Sequence, residues 1–171
     1  MEAVDKVYDK IKQKLGIPKR VVRWYVTEEL IPQPEHQGRE AYYDLDKTQL
    51  MSRLELIQVL QRKFNYKLDG IKPILKLYEG HAFDRLLTMT EVLAKDYPLY
   101  TEVNVGGEKS KLRDSLNSVI HNEFLIQLEK GELDVENFKL LDLVGKIKKW
   151  SFEDYNEYAC TEESYMKRFK D

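Results

Sequence analysis

The sequence has only one cysteine and three histidines among its 171 residues. A lone Cys160 cannot form an intramolecular disulfide, which fits a reducing compartment. His36, His81 and His121 are far apart and have no cysteine or second histidine beside them, whereas a zinc site needs such ligands at short spacing. We therefore expect no metal and no other cofactor. A site that shares Cys160 between two subunits has no further support in the sequence.

The chain also lacks long apolar stretches. None approaches the roughly 18 apolar residues that a membrane-spanning helix needs. The N-terminus, MEAVDKVYDKIKQKLG, has no apolar core of the kind found in signal peptides. Hydrophobic residues still make up 42% of the chain, which is enough to bury a core. We expect a globular protein in the cytoplasm with no membrane partner.

Catalytic patterns are missing as well. No Ser-His-acid set or carboxylate pair is recognisable by spacing. Gly106-Gly107, followed by Glu108 and Lys109, lacks the spacing and the Lys-Ser/Thr ending of a phosphate-binding loop, and it is more typical of a linker turn. The sequence thus offers no catalytic residue, and we expect the protein not to be an enzyme.

Positive charge, in contrast, is concentrated near the N-terminus. Between positions 10 and 23 there are six basic residues and no Asp or Glu, although the net charge of the chain is only -2. Residues 1–79 carry 15 Lys and Arg against 12 Asp and Glu, whereas residues 80–171 carry 13 against 18. A basic cluster attracts duplex DNA by releasing condensed counterions, and this effect depends on local cations. The pI near 6.0 therefore does not exclude DNA binding.

The apolar spacing of the first 30 residues predicts two helices. The first carries Val4, Val7, Tyr8, Ile11 and Leu15 and ends at Gly16. The second begins at Pro18 and buries Val21, Val22, Tyr25 and Val26, which leaves its outer face to Lys19, Arg20 and Arg23. Two helices joined by a short turn that contains glycine form a helix-turn-helix, whose second helix enters the major groove by its N-terminal part. That part is the basic one here.

A hairpin, or wing, is predicted to follow. Pro32 and Pro34 end helical structure, residues 35–38 are predicted as the hairpin tip, and residues 39–43 as the returning strand. Asp44 or Asp46 is then a candidate cap for a helix whose apolar face holds Leu50, Leu54, Ile57 and Leu60. A break at Asn65 and Tyr66 precedes one more helix over residues 69–78. These elements predict a compact winged helix-turn-helix.

Residues 4–79 resemble the DNA-binding domain of the MerR family of bacterial regulators. The matching positions are Gly16, Pro18, Arg20, Arg23-Trp24-Tyr25, Leu30, Ile31, Pro32, Arg39, Tyr42, Tyr43 and Asp44. Two features depart from the family pattern. Leu15 and Ile17 stand where a small residue and a Ser or Thr cap are usual, which weakens capping by about 1 kcal/mol. The long dimer helix of the family is also missing, because no heptad run follows Gly80.

The helix-turn-helix layout and the resemblance together suggest a set of DNA contacts. Lys19, Arg20 and Arg23 are expected to face the major groove, and Tyr25, Arg39 and Tyr42 to hold phosphates. Trp24 is expected to have a structural role and Tyr43 to lie in the core. There are ordinary alternatives: a solvated helix face for the three cations, and cross-strand tyrosine packing in the hairpin for Arg39 and Tyr42.

The second half of the chain is predicted to be helical. One short helix runs through Phe83, Leu86, Leu87, Thr90 and Leu93, and an extended stretch follows to Gly107. Another helix carries Leu112, Leu116, Val119, Ile120, Phe124 and Leu128 and ends near Gly131. Asp134 is a candidate cap for a further helix with Phe138, Leu141, Val144, Ile147 and Trp150, and Ser151 with Asp154 for a last one.

Eight aromatic residues of the second half of the chain are candidates for a pocket or an interface. They are Tyr97, Tyr100, Trp150, Phe152, Tyr155, Tyr158, Tyr165 and Phe169. Such residues at helical spacing more often form a core or an interface than a pocket for an apolar effector. We favour a dimer interface for some of them, since palindromic DNA sites are read by two-fold dimers.

The sequence therefore predicts a mainly α protein, with an N-terminal winged helix-turn-helix and an all-helical C-terminal domain. We expect a DNA-binding domain over 1–79, a short helix and linker over 80–107, and a dimerisation or partner-binding domain over 108–171. The expected function is sequence-specific transcriptional regulation by a nucleoid-associated homodimer on double-stranded DNA. The alternatives are an architectural or excisionase-like accessory protein, and a protein-interaction module that kept the fold without binding DNA.

Overall fold

The computed structural model describes residues 1–94 and 112–139 and positions 142, 143 and 145, with no side-chain description for 112–119. Within these residues the chain is mainly helical with one small sheet, as predicted. Two compact units divide the chain, Met1–Glu91 and Val92–Asp171. The predicted domain limits at 79 and 107 stay predictions.

The N-terminal helix forms as its apolar spacing predicts. A short strand, β1 (Glu2–Ala3), leads into α1 (Val4–Leu15), which buries Val7, Tyr8 and Ile11. Gly16 follows in the left-handed conformation, with φ 68°, and its N–H donates to the Lys12 carbonyl at 3.0 Å. Because this conformation is costly for a residue with a Cβ, glycine suits the end of the helix.

The second helix, α2 (Lys19–Thr27), starts one residue later than predicted, with Pro18 as its N-cap residue. No side chain caps its first turn, as the absence of Ser or Thr at position 17 implies. Ile17 is instead packed in the core at 4% exposure. Val22 and Tyr25 are buried as predicted, whereas Val21 and Val26 are only partly covered.

The wing differs in one respect from the prediction. Strands β2 (Glu35–Gln37) and β3 (Glu40–Tyr43) form an antiparallel pair, and β1 adds on the other side of β3. Residues 35–37 are therefore a strand, and the tip is the two-residue turn Gly38–Arg39. Gly38 has φ 66°, which favours glycine at the first position of a tight hairpin turn. Arg39 consequently lies in the turn and not in the returning strand.

After the wing, the helix predicted from Asp44 is interrupted once. Asp44 caps the short α3 (Leu45–Thr48) by accepting a hydrogen bond from the Lys47 N–H at 3.0 Å. Gln49 then adopts the left-handed conformation with φ 50°, and α4 (Leu50–Lys63) begins after it. The predicted apolar face of α4 is fully buried: Leu50, Leu54, Ile57 and Leu60.

Two more helices complete the described part of the first unit. Asn65, with φ 57°, turns the chain from α4 into α5 (Leu68–Leu77), whose Ile71, Ile74 and Leu75 are buried. Helix α6 (Phe83–Ala94) follows and reaches the beginning of the second unit.

The start of α6 is held by two residues of α4 and its preceding turn, which we call the Gln49–Arg53 clamp. The Gln49 side-chain oxygen accepts a hydrogen bond from the Phe83 N–H at 2.8 Å, and its amide nitrogen donates to the His81 carbonyl at 3.0 Å. Arg53 donates to the Thr48 carbonyl at 2.8 Å and to both carboxylate oxygens of Glu79. The clamp thereby connects the end of α3 with the residues before α6.

In the second unit, α7 (Leu112–Lys130) ends before Gly131, which has φ 71°. Its described core side chains include Ile120, Phe124 and Leu128. Asp134 accepts from the N–H groups of Glu136 and Asn137, but it caps a turn over 135–137 and not the continuous helix predicted there. The Phe138 ring lies edge-on to Phe124, with centroids 5.8 Å apart.

Several predictions lie outside the described residues. They concern the side chains of Leu112, Leu116 and Val119, the Gly106-Gly107 turn, Leu141, Val144, Ile147, Trp150, the helix from Ser151, Cys160, and the aromatic residues Tyr97, Tyr100, Phe152, Tyr155, Tyr158, Tyr165 and Phe169. Among the helices of the described part, none has the length and apolar character to cross a bilayer.

Candidate nucleic-acid interface

The exposed face of α2 carries the arginines that the sequence singled out. Arg20 and Arg23 are three residues apart, so their side chains leave the helix on one face, and both are exposed. The first turn of α2 contains no acidic residue. Within the described part of the chain, no carboxylate forms an ion pair with either arginine. Two guanidinium groups are thus available to a ligand along this face.

Lys19 is placed differently from the two arginines. Its ammonium lies 2.7 Å from a carboxylate oxygen of Asp5 in α1, and 5.4 Å from the centre of the Tyr8 ring. The hydrogen bond from Lys19, together with the positive charges of Lys19 and Arg23, lowers the pKa of the Asp5 carboxyl below its ordinary value. The ammonium of the lysine predicted for the major groove therefore contacts α1 in this structure.

An open groove of about 630 Å³ lies between α1 and the first turn of α2. Its walls carry charges of both signs: Asp5, Asp9, Lys12, Lys19 and Arg20, with Tyr8 and Pro18 between them. Asp5 and Asp9, which precede the basic stretch over 10–23 in the sequence, thus lie beside its cations in the folded structure.

The aromatic pair of α2 divides between core and surface. Tyr25 is 6% exposed, whereas Trp24 is 47% exposed, and their ring centroids lie 5.8 Å apart. Adjacent helix positions point about 100° apart, so only one of the two can lie on the buried face that Val22 defines. Trp24, for which a structural role is expected, has its ring outside the core and in contact with the ring of Tyr25.

Tyr25 has a basic neighbour that the sequence interpretation missed. Burial raises the pKa of the Tyr25 hydroxyl, and the positive charge of Arg62 opposes this shift. Arg62 belongs to the last turn of α4, and Lys63 and Lys67 follow it closely in the sequence. The three basic residues between positions 62 and 67 were the available signal, but only the folded structure brings the charge of Arg62 close to Tyr25.

The wing presents Arg39 at its tip and Tyr42 on its strand. Arg39 is exposed, and no described carboxylate pairs with it. The Tyr42 hydroxyl donates to the Glu40 carboxylate, and this hydrogen bond raises the pKa of Tyr42, with burial and the charge of Glu40 acting in the same direction. Tyr42 thus has a partner on its own strand, whereas Arg39 is directed to solvent.

Tyr43 lies in the core, as predicted. Its ring is 1% exposed and its hydroxyl donates to the Pro32 carbonyl at 3.0 Å, which fastens the end of β3 to the segment before the wing. Burial raises the pKa of the Tyr43 hydroxyl well above its ordinary value. The base of the wing is also joined to α3, because Lys47 lies 3.1 Å from a carboxylate oxygen of Glu35.

With two helices, a glycine turn and a hairpin wing in place, the family comparison identifies the module. Residues 9–78 match the family model described as MerR HTH family regulatory protein. This part of the chain is a MerR-like helix-turn-helix domain. A search of curated proteins and a search of solved structures gave no match.

The MerR-like domain indicates the broad functional class of the protein. Helix-turn-helix regulators of this family bind DNA, and the match extends from α1 to the residue after α5, so that it includes both the helix pair and the wing. Among the described residues, no group of three or more His, Cys, Asp or Glu side chains is arranged to hold a metal ion.

Proposed function

We propose that the protein binds duplex DNA sequence-specifically and regulates transcription, with α2 in the major groove and the wing on the phosphate backbone. The observation that carries this proposal is the pair of exposed arginines, Arg20 and Arg23, at the N-terminal part of the second helix of a MerR-like module. In a helix-turn-helix this part of the second helix contacts base edges. Arginine there most naturally reads guanine through O6 and N7.

The phosphate contacts are proposed to come from several elements around α2. Arg39 at the wing tip is exposed and suited to a backbone phosphate, and Tyr42 lies on the adjoining strand. Tyr25 is proposed to place its hydroxyl near a phosphate, and the nearby Arg62 adds a positive charge there. Such contacts fix the position of the protein on DNA without specifying sequence.

A dimer is the proposed assembly. A single helix-turn-helix contacts a short half-site, and a two-fold dimer reads two half-sites spaced by about one helical turn of DNA. We propose that the C-terminal half over 108–171 provides the dimer interface or binds a protein partner, and that residues 80–107 connect it to the DNA-binding domain. A cytoplasmic, nucleoid-associated location follows from this function.

The decisive experiment selects bound sequences from a random DNA pool with the full-length protein. A regulator of the proposed type should enrich two related half-sites at a fixed spacing. Binding of the selected duplex should weaken steeply as the salt concentration rises. The basic side chains of the protein release counterions from the DNA on binding, and this release is less favourable at high salt. Arg20→Ala and Arg23→Ala should each reduce the preference for the selected duplex, whereas Lys76→Ala, an exposed substitution on α5, serves as the control.

Other outcomes would change the assignment. Tandem sites accompanied by strong DNA bending would favour an architectural or excisionase-like accessory protein. No enrichment and no salt-dependent retention on a DNA column would contradict the proposal and favour a protein-interaction module.

A further inference from the structure

Lys19 and Asp5 form an ion pair across the two helices of the helix-turn-helix. Asp5 belongs to the first turn of α1, and Lys19 is the first residue of α2. Their nitrogen and oxygen lie 2.7 Å apart, and the lysine also sits over the Tyr8 ring. A cation at the start of the proposed recognition helix is therefore held in one place before any DNA is bound.

The carboxylate is placed where it affects more than one cation. The Asp5 side chain is 83% exposed, so its carboxylate remains in contact with solvent beside the start of α2. Arg23, one turn further along α2, contributes to the electrostatic field at the same carboxyl. The negative charge of Asp5 therefore lies near two candidate contact residues, but it forms its ion pair with Lys19.

We propose that Asp5 is a specificity-determining residue, which holds the Lys19 ammonium at one position and so weakens non-specific DNA binding more than specific binding. The proposal rests on the DNA-binding function proposed above. It assigns to Asp5 a positioning role that acts through Lys19, and it requires no contact between Asp5 and DNA.

The difference between the two kinds of binding follows from what each requires of Lys19. Non-specific affinity comes almost entirely from cation–phosphate contacts in many loose arrangements, and a mobile lysine reaches more phosphates than a fixed one. In the specific complex the phosphates occupy fixed positions, and confining a long side chain beforehand reduces the entropy lost on binding. Fixing Lys19 therefore lowers the affinity for non-specific DNA more than the affinity for the specific site.

The test uses the full-length chain with Asp5→Asn and a matched control, Asp9→Asn. Both substitutions remove one negative charge from α1, and both residues line the same groove. Asp9 forms no ion pair among the described residues, so its substitution leaves Lys19 held. Dissociation constants are measured over a salt series for a selected duplex and for a mixed-sequence duplex of equal length.

We expect Asp5→Asn to raise the affinity for the mixed-sequence duplex by about two- to fivefold, the range typical of an exposed ion pair. Affinity for the selected duplex should rise less, so the ratio of the two affinities falls. The salt dependence of mixed-sequence binding should steepen by up to about 0.9 in log–log slope, as one more cation engages phosphate. Asp9→Asn should shift both affinities by the same smaller factor.

A second background shows whether the effect passes through Lys19. In Lys19→Gln protein, adding Asp5→Asn should leave the affinity ratio unchanged. An equal change of the ratio in both backgrounds, or equal effects of Asp5→Asn and Asp9→Asn, would overturn the role of Asp5 while leaving DNA binding intact. Failure of the unsubstituted protein to bind either duplex would overturn both proposals.

Discussion

Gln49 and Phe83 are joined by a hydrogen bond of 2.8 Å from the Phe83 N–H to the Gln49 side-chain oxygen, across 34 positions of sequence. Gln49 thereby accepts from one of the first amides of α6, which have no partner inside the helix. The same residue has the left-handed φ of 50° that separates α3 from α4. Gln49 thus separates α3 from α4 through its backbone and caps α6 through its side chain.

Substitution of Gln49 separates the contribution of its side chain from that of its backbone. Gln49→Gly removes the two side-chain hydrogen bonds but accepts φ 50° easily, and should cost about 1–3 kcal/mol of unfolding free energy. Gln49→Ala should cost about 1 kcal/mol more, because alanine is disfavoured in the left-handed region. Urea unfolding measures both. Equal stability of the two variants would contradict the backbone part of this prediction.

Arg23 tests base recognition. Arg23→Ala should weaken binding to the selected duplex by about 1–3 kcal/mol and relax the preference at one base position, if the guanidinium pairs with guanine. A gel-shift titration against single-base variants of the site measures both effects. Unchanged affinity and unchanged sequence preference would show that Arg23 has no such role.

Arg39 tests the wing. Because a phosphate contact carries no sequence information, Arg39→Ala should weaken binding to selected and mixed-sequence duplexes by similar factors. The slope of log affinity against log salt should become shallower by about 1. A loss confined to the selected duplex would indicate that the wing tip reads a base, in disagreement with the proposal.

The buried hydroxyl of Tyr43 should make the stability of the protein depend on pH in the alkaline range. The pKa of its hydroxyl is raised by burial, so the folded state favours the protonated form. The contribution of this raised pKa to the free energy of unfolding is fully present below the ordinary tyrosine pKa of about 10. It is lost as the pH rises from there toward the pKa of Tyr43 in the folded state. Tyr43→Phe removes the hydrogen bond to the Pro32 carbonyl, which should lower the free energy of unfolding by about 0.5–1.5 kcal/mol at neutral pH.

The comparison between the two proteins is made by thermal unfolding at several pH values. Above about pH 10 the unsubstituted protein should lose stability more steeply than Tyr43→Phe, because the variant has no phenol to ionise at this position. Parallel loss in both proteins would show that other groups, Tyr25 among them, dominate the alkaline transition.

Much of the module could be predicted because its signals are local. The spacing of Val7, Tyr8 and Ile11 defines the buried face of α1, and Gly16 marks its end. The same reasoning located α2 and the buried face of α4, and the motif around Arg23 supported the family resemblance that the residue match confirms. Short-range periodicity and turn residues were sufficient for these elements.

The remaining features depend on contacts between distant segments. Gln49 leaves the helical conformation at a position where its side chain reaches His81 and Phe83, and nothing in its neighbouring residues predicts this. The Asp5–Lys19 pair depends on how α1 crosses α2. The polar strand over 35–37 has no apolar alternation, so its pairing with β3 was not visible in the sequence.

The Gln49–Arg53 clamp also limits where this module can be cut or recombined. The Arg53 guanidinium, 6% exposed as a residue, lies 4.3 Å from the centre of the Phe83 ring. A chimera that keeps this protein only up to Gly80 would lose the contacts of Phe83 with Gln49 and Arg53. One that keeps it up to Glu91 would retain the Phe83 ring and the capped first turn of α6. The N-terminal module therefore depends on the beginning of α6, and exchanges made after Glu91 should preserve its stability.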